Sequence, residues 1–526
     1  MSGAEHKGQC RRGREFTTAK LWPPADLRQA RAVVAENQSG GGLRYNPDYP
    51  AVQRARLRRY RWVSSPKVAM RITHTLHRTV FALGLSLALA STASAQIGRR
   101  FPSEKRIVPD PVTGIPLTFL TSTPAGDSKI YPTHPQWTSD GRWLIFRSGR
   151  APGQAMAVNE ETGDMVQVTE AGYTGMLCVA RHSMRLYVMR APGAPGGSGN
   201  RQRRPLQIIE IDLARVFADS AAGTLKAADA YERVCGTIPA DMGAAGGDMA
   251  LDANEDVAYF RVSGGDLASR LPAGTKIAVP FGPRGMGAGP AGLAGMNLQT
   301  GEIKFIVAVP FQIGHVQTNP WVPGEIVFCW ETGGKAPQRT WTVMADGTGL
   351  RPLYPEAPSE WITHEAVITR DEAAIAILGH RRANASAGPG QEPAWGPAGF
   401  PDRPTGVGIV NLRTREMRIV GQVPVGDPGS SIWHVHGSAD GRWAVADDFQ
   451  YRLWLIDRHS GEMMLLSDNG HTRTAADHQH PTFSADGTRI EIQSAMLSAD
   501  GRSMNICIVP VPASWLARTY AGRLAR

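Results

Sequence analysis

Eleven of the fourteen histidines lie beyond residue 95, and several fall where imidazoles can act together. His478-Gln-His480 is the strongest local signal. On a strand, residues i and i+2 point to the same side, so both rings can face one ion. His364, in Trp361-Ile-Thr-His-Glu365, holds the equivalent place two repeats earlier. Three imidazoles on one divalent ion leave positions open for a substrate oxygen. Imidazole alone suits zinc, copper, nickel or iron, whereas manganese prefers more oxygen ligands. The competing reading is a His-x-His pair that hydrogen-bonds backbone beside a turn. His315, in Ile313-Gly-His-Val-Gln-Thr-Asn-Pro320, can serve as base, acid or substrate donor, or as a channel histidine bonded internally. His434-Val-His436 repeats the spacing and offers substrate contacts or support for the ligands. Gln338-Arg339 is a candidate for carboxylate recognition, because guanidinium grips a carboxylate with two parallel bonds. A plain surface arginine is the alternative. His182, His380 and His459 stand off the repeat and are expected on the surface.

These residues need an architecture that brings distant segments to one point. Seven short segments share one pattern. The clearest are His134-Pro-Gln-Trp-Thr-Ser-Asp-Gly-Arg-Trp, His434-Val-His-Gly-Ser-Ala-Asp-Gly-Arg-Trp and His478-Gln-His-Pro-Thr-Phe-Ser-Ala-Asp-Gly. Weaker copies start near Thr174, Asp248, His315 and His364. Each precedes an apolar strand, and Asp-Gly marks tight turns. Repeats every ~40–70 residues built from strands and turns read as an all-β, seven-bladed β-propeller of four-stranded antiparallel blades. Equivalent positions of its blades converge on the central channel. The strand Pro116-Leu-Thr-Phe-Leu120 is expected to close the ring beside Asn505-Ile-Cys-Ile-Val509. Residues 192–204, 282–295 and 380–404, rich in Gly, Ala and Pro, are expected as surface loops.

The formal net charge of +10 misleads. Residues 1–95 carry 16 basic and 5 acidic residues, so the remainder has 41 basic and 42 acidic ones. A near-neutral body gives no reason to expect a nucleic-acid partner. Residues 70–95 have a basic start, an apolar stretch too short to span a bilayer comfortably, and the small-x-small end Ala93-Ser-Ala95, as in a secretory signal. Met70 is therefore expected to be the initiator and residues 1–69 an upstream extension. A signal anchor with a basic tail is the alternative. The expected mature domain is 96–526, periplasmic, with no stable membrane insertion after cleavage. Its four cysteines form no Cys-x-x-Cys pair, which argues against a zinc ribbon. Cys329 and Cys507 lie in apolar strands as buried thiols, and a Cys178–Cys235 bridge is allowed. No Gly-x-Ser-x-Gly elbow, P-loop, dinucleotide glycine pattern or His-Glu-x-x-His is present.

The ordered set Gly314-His-Val-Gln-Thr-Asn-Pro320, Gln338-Arg-Thr-Trp341, Thr363-His-Glu365, His434-Val-His436, His471 and Asp477-His-Gln-His-Pro-Thr-Phe-Ser-Ala-Asp-Gly487 resembles the oligogalacturonate lyases. These are seven-bladed propellers of pectin degradation. The resemblance covers roughly residues 134–511. It implies a manganese-dependent β-elimination on small oligogalacturonides or related oligouronides, with a 4,5-unsaturated product. It places metal ligands at His364, His478 and His480, and His315 in the active site. The family pattern has a fourth ligand, a glutamine three residues before the final histidine pair, where this chain has Ala475. It also has an arginine base upstream of the His315 motif. Residues 287–295 contain no arginine here, and Arg284 is the nearest candidate. The alternative function is a non-catalytic periplasmic binding or scaffold propeller of the TolB type.

Overall fold

The computed structural model describes residues 96–193, 204–243, 248–280, 285–333, 336–357, 360–380, 406–423, 432–468 and 474–520. The upstream segment, the leader, Arg284, His471 and most of the insertions 192–204 and 380–404 lie outside them.

Seven antiparallel sheets follow one another along the chain. The innermost strands of blades 1 to 7 are Asp127–Lys129, Thr174–Val179, Met249–Leu251, Ile313–Thr318, Glu360–Thr369, Ile432–Gly437 and Thr482–Phe483. Each lies at, or within a few residues of, the start of one of the seven sequence repeats. Blades 2 to 6 are four-stranded. Blade 1 gains a fifth strand from Arg100–Phe101, and blade 7 gains two from the N-terminal side, Arg106–Pro109 and Pro116–Phe119. Thr118 pairs with Ile508 and Phe119 with Cys507, which closes the ring where the sequence placed the seam.

The Asp-Gly signal works by the same local chemistry in each clear copy. In blade 7, Ser484 Oγ donates to Asp486 Oδ1 at 2.6 Å, and Gly487 N–H donates to the Ser484 carbonyl at 2.9 Å. Gly487 sits at φ 68°, a left-handed conformation that costs glycine little. Thr138–Gly141 and Ser438–Gly441 form the same turn. Apolar residues on both faces of each sheet then pack on the next blade. Leu177, Val188 and Ile211 of blade 2 meet Ile145 and Val166 of blade 1. Trp443 and Leu455 of blade 6 meet Phe483 and Ile492 of blade 7. A ring of such pairwise interfaces tolerates a length that a single core would not.

Two expectations are corrected. Residues 288–297 are not a loop but a ten-residue strand of blade 3, Ala288–Asn297. Its glycines make room for neighbours: a Cβ on Gly295 would meet the Tyr259 ring at 3.0 Å, and one on Gly292 would meet the Val307 carbonyl at 2.9 Å. The allowed Cys178–Cys235 bridge is not formed; all four described cysteines are buried free thiols. One helix the strand pattern did not anticipate, Leu213–Ala222, interrupts blade 2. Asp212 caps its start, Gly223 ends it at φ 68°, and Phe217 stacks on Trp143 at 4.2 Å. Among the described residues no helix is long and apolar enough to cross a membrane.

Candidate metal centre and channel site

The channel histidines are aimed by irregular backbone. Register slips between Gly314 and Gln317, between Thr363 and Glu365, and between Ile432 and Val435 put bulges in the innermost strands of blades 4, 5 and 6. His315, His364 and His434 lie inside them. His315 (φ 51°), His364 (φ 29°) and His480 (φ 52°) are left-handed, which a side-chain-bearing residue adopts only under constraint. A bulge of this kind turns a side chain away from the pleat, here into the channel.

Four imidazoles gather as a result. The His434 ring lies 4.2 Å from that of His364, 3.8 Å from that of His480 and 5.7 Å from that of His478, centre to centre. Three of them are engaged through Nδ1. His364 Nδ1 lies 2.6 Å from the Trp433 carbonyl, His434 Nδ1 3.0 Å from Asp447 Oδ2, and His480 Nδ1 3.1 Å from the His478 carbonyl. Their Nε2 atoms form no hydrogen bond among the described residues. Burial, followed by the other histidines' charges, holds His364 and His434 well below the usual imidazole range, so both are neutral and can offer a lone pair. His478 stacks on Tyr451 at 4.9 Å, and its Nδ1 is buried without a partner.

This donor set fits a divalent ion. Ligand atoms of His434, Asp447 and His478 lie within 4.8 Å of one another, with His364 and His480 packed against His434. The carboxylate supplies an oxygen that imidazoles alone lack. The three histidines implied by the resemblance are thus brought to one place, but His434 and Asp447 stand between them. The sequence reading put His434 among the substrate contacts and missed Asp447. Asp447 lies fifteen residues beyond the start of its blade, on the second strand, and carries no local motif.

A second cluster adjoins the first. His315 Nδ1 is 3.0 Å from Glu365 Oε1, and its Nε2 is 3.4 Å from Glu331 Oε2. Burial lowers the His315 pKa, but the Glu365 charge and hydrogen bond, with Glu331, outweigh it and raise the value. Arg339, buried, reaches Glu365 with Nε at 3.2 Å and lies 3.9 Å from Glu331 through Nη2. Burial pushes Glu331 up, yet Arg339 and His315 together bring it down to about 2. Arg339 and His315 thus face two carboxylates, Glu331 and Glu365, and Arg339 Nη2 lies 3.3 Å from His315 Nδ1.

Other expected contacts lie elsewhere. Gln338 Nε2 donates to the carbonyls of Thr340 and Tyr354 and so braces the blade rather than the channel. His436 accepts the Phe483 N–H at 3.3 Å and lines a cavity of about 540 Å³ at the C-terminal ends of the innermost strands. His134 is six residues before its Asp-Gly, like His434 and His480, yet both its nitrogens are occupied, by Thr133 Oγ1 and the Met249 carbonyl, each at 2.8 Å. Burial takes it down to about 4. Blade 1 sends Tyr131 to the site instead, with its ring 4.8 Å from His315 and 5.3 Å from His480. His182 and His459 are exposed, as expected.

The fold and this arrangement define a seven-bladed propeller with a histidine-lined channel. No protein-family model matches the chain, and no curated protein matches it in sequence. Solved structures do. An oligogalacturonate lyase in complex with manganese superposes with a TM-score of 0.58 at 18% identity, covering 80% of this chain and 100% of that one. An oligogalacturonate lyase from Vibrio parahaemolyticus gives 0.57 at 17% identity, with 80% and 100% coverage. At these identities the shared property is the fold.

Proposed function

We propose that the protein is a metal-dependent lyase that cleaves small oligogalacturonides, or related oligouronides, by β-elimination to 4,5-unsaturated products. The observation that carries this reading is the convergence of His364, His434, His478, His480 and Asp447 beside Arg339 and His315. A divalent ion, manganese in the first instance, when bound supplies Lewis-acid stabilisation of the uronate carboxylate. His434, His478 and Asp447 would hold it, with His364 and His480 alongside. The chain's own residues do the rest. Arg339 offsets the charge of Glu331 and Glu365 beside the place where a carboxylate must dock. A neutral imidazole of the cluster would take the C5 proton, and His315, through Nε2, would pass one to the departing O4.

The test uses protein starting at Gln96, short oligogalacturonates and added manganese, followed by a chelator. A chelator-sensitive rise in ultraviolet absorbance from the unsaturated uronate supports the reading. Stoichiometric metal without that rise points to another uronate or reaction. Neither metal nor rise favours a binding or scaffold propeller, a reading supported by Ala475, whose methyl group cannot coordinate.

We further propose export to the periplasm by cleavage of residues 70–95, on the pattern of that segment alone. N-terminal mass analysis of natural protein should find a start near Gln96; a peptide from residues 1–60 would overturn this.

A further inference from the structure

We infer that Tyr131 is a catalytic residue of this site: its phenol donates a hydrogen bond to the uronate carboxylate as negative charge develops there. The inference rests on the lyase reading.

Tyr131 follows the innermost strand of blade 1 by two residues and lies between the two clusters. Its ring centre is 6.2 Å from that of His364, 6.0 Å from His434, 5.3 Å from His480 and 4.8 Å from His315. No other described aromatic side chain contacts all four of these rings. The phenol oxygen is buried and has no hydrogen-bond partner among the described residues. Buried donors in folded proteins are nearly always paired, so an orphan at the meeting point of two charged clusters calls for a ligand. Packing alone does not explain it. A phenylalanine ring would fill the same space between the imidazoles without burying an unpaired hydroxyl.

Several donors around it are committed. Arg339 Nε is taken by Glu365, and both nitrogens of His315 face carboxylates. Tyr131 is an uncommitted donor that an arriving carboxylate meets between these groups and the histidines. In β-elimination a neutral imidazole of the cluster takes the C5 proton, the C5–H electron pair becomes the C4–C5 double bond, and the C4–O4 pair leaves with O4, which takes up a proton. Part of the C5 charge passes through the carboxylate on the way. Tyr131 keeps its proton throughout, and no bond to it forms or breaks. Its hydrogen bond strengthens as the carboxylate gains charge, which is how a preplaced donor lowers a barrier.

Tyr131→Phe removes only the hydroxyl. Three quantities are read on the full mature chain: kcat and KM on oligogalacturonate with manganese, metal content, and calorimetric binding of galacturonate. The expected result is a fall in kcat on the order of 100-fold, with metal content and thermal melt unchanged. An unchanged kcat in an active wild type overturns the inference and leaves the lyase reading standing. Loss of metal or of a cooperative melt in the variant makes the hydroxyl structural and also overturns it. A wild type that neither binds galacturonate nor cleaves its oligomers overturns the lyase reading, and this inference with it.

Discussion

The Asp447 carboxylate holds His434 twice, accepting its backbone N–H at 2.7 Å and its Nδ1–H at 3.0 Å. The same carboxylate accepts the backbone N–H of His480 at 3.1 Å. One fully buried acid therefore fixes histidines of two blades. Carboxylate–histidine pairs of this kind set ring orientation and tautomer at metal sites. Asp447→Asn removes the charge and lets the His434 ring choose the other tautomer. A roughly 10–100-fold loss of manganese affinity is expected by calorimetric titration. Equal affinity in the variant would reduce Asp447 to a brace for two loops.

The channel histidines divide into those that face one another and those that hold backbone. Replacing His478 and His480 together with alanine should abolish stoichiometric metal and, with it, any chelator-sensitive lyase signal. His134→Ala is the contrast. It leaves the buried Met249 carbonyl with only the weak Cys178 Sγ–H donor at 3.2 Å, a cost of about 1–3 kcal/mol. Elemental analysis of that variant should show unchanged metal. A His134 variant that lost metal would contradict the division.

That division was only partly legible in the sequence. In the three clear copies a serine or threonine, an aspartate and a left-handed glycine form the turn through local bonds, so those blades could be read directly, whereas the other four rested on weaker copies without Asp-Gly. The position six residues before the aspartate was also visible, and it holds His134, His434 and His480. What spacing could not show is the bulge. His434 sits in one and faces the cluster. His134 sits in none of the register slips and turns to the next blade. Glu331, Asp447 and Tyr131 were missed for a related reason. Each joins the site through the ring's closure rather than through a neighbour in the chain.

Arg339 and Gln338 are adjacent in sequence and opposite in duty. Arg339→Ala leaves Glu365, which is fully buried, and Glu331 to share His315, a loss of about 3–5 kcal/mol. Arg339→Lys keeps the charge without the planar fork and should recover only part of it. Gln338→Ala loses two bonds to backbone carbonyls and should leave uronate binding intact. Denaturant unfolding and calorimetry on the three variants separate these outcomes. A binding loss in Gln338→Ala equal to that in Arg339→Lys would return Gln338 to the site.

Lys129 and Glu491 form a fully buried pair, 3.5 Å apart, that links blade 1 to blade 7 beside the metal cluster. Burial takes Lys129 down to about 8 against the opposing pull of Glu491, and takes Glu491 up to about 7 against that of Lys129. The signs follow from linkage. Glu491 is raised from its ordinary 4.5, so its contribution to stability is full below that value and is lost as pH rises through 7. Lys129 is lowered from 10.5, so its contribution is full above that value and is lost as pH falls through 8. Between pH 7 and 8 both contributions are near their minimum, and the pair costs stability there. Replacing both partners with apolar residues, Lys129→Met with Glu491→Leu, should stabilise the protein by about 1–4 kcal/mol at pH 7.5. It should also remove the fall in melting temperature between pH 4.5 and 7 that Glu491 causes. Glu491→Gln alone should be destabilising at neutral pH, because it leaves Lys129 buried without a counter-charge. A double variant that melts below the wild type at pH 7.5 would mean that the Coulomb attraction across 3.5 Å exceeds the desolvation of both groups.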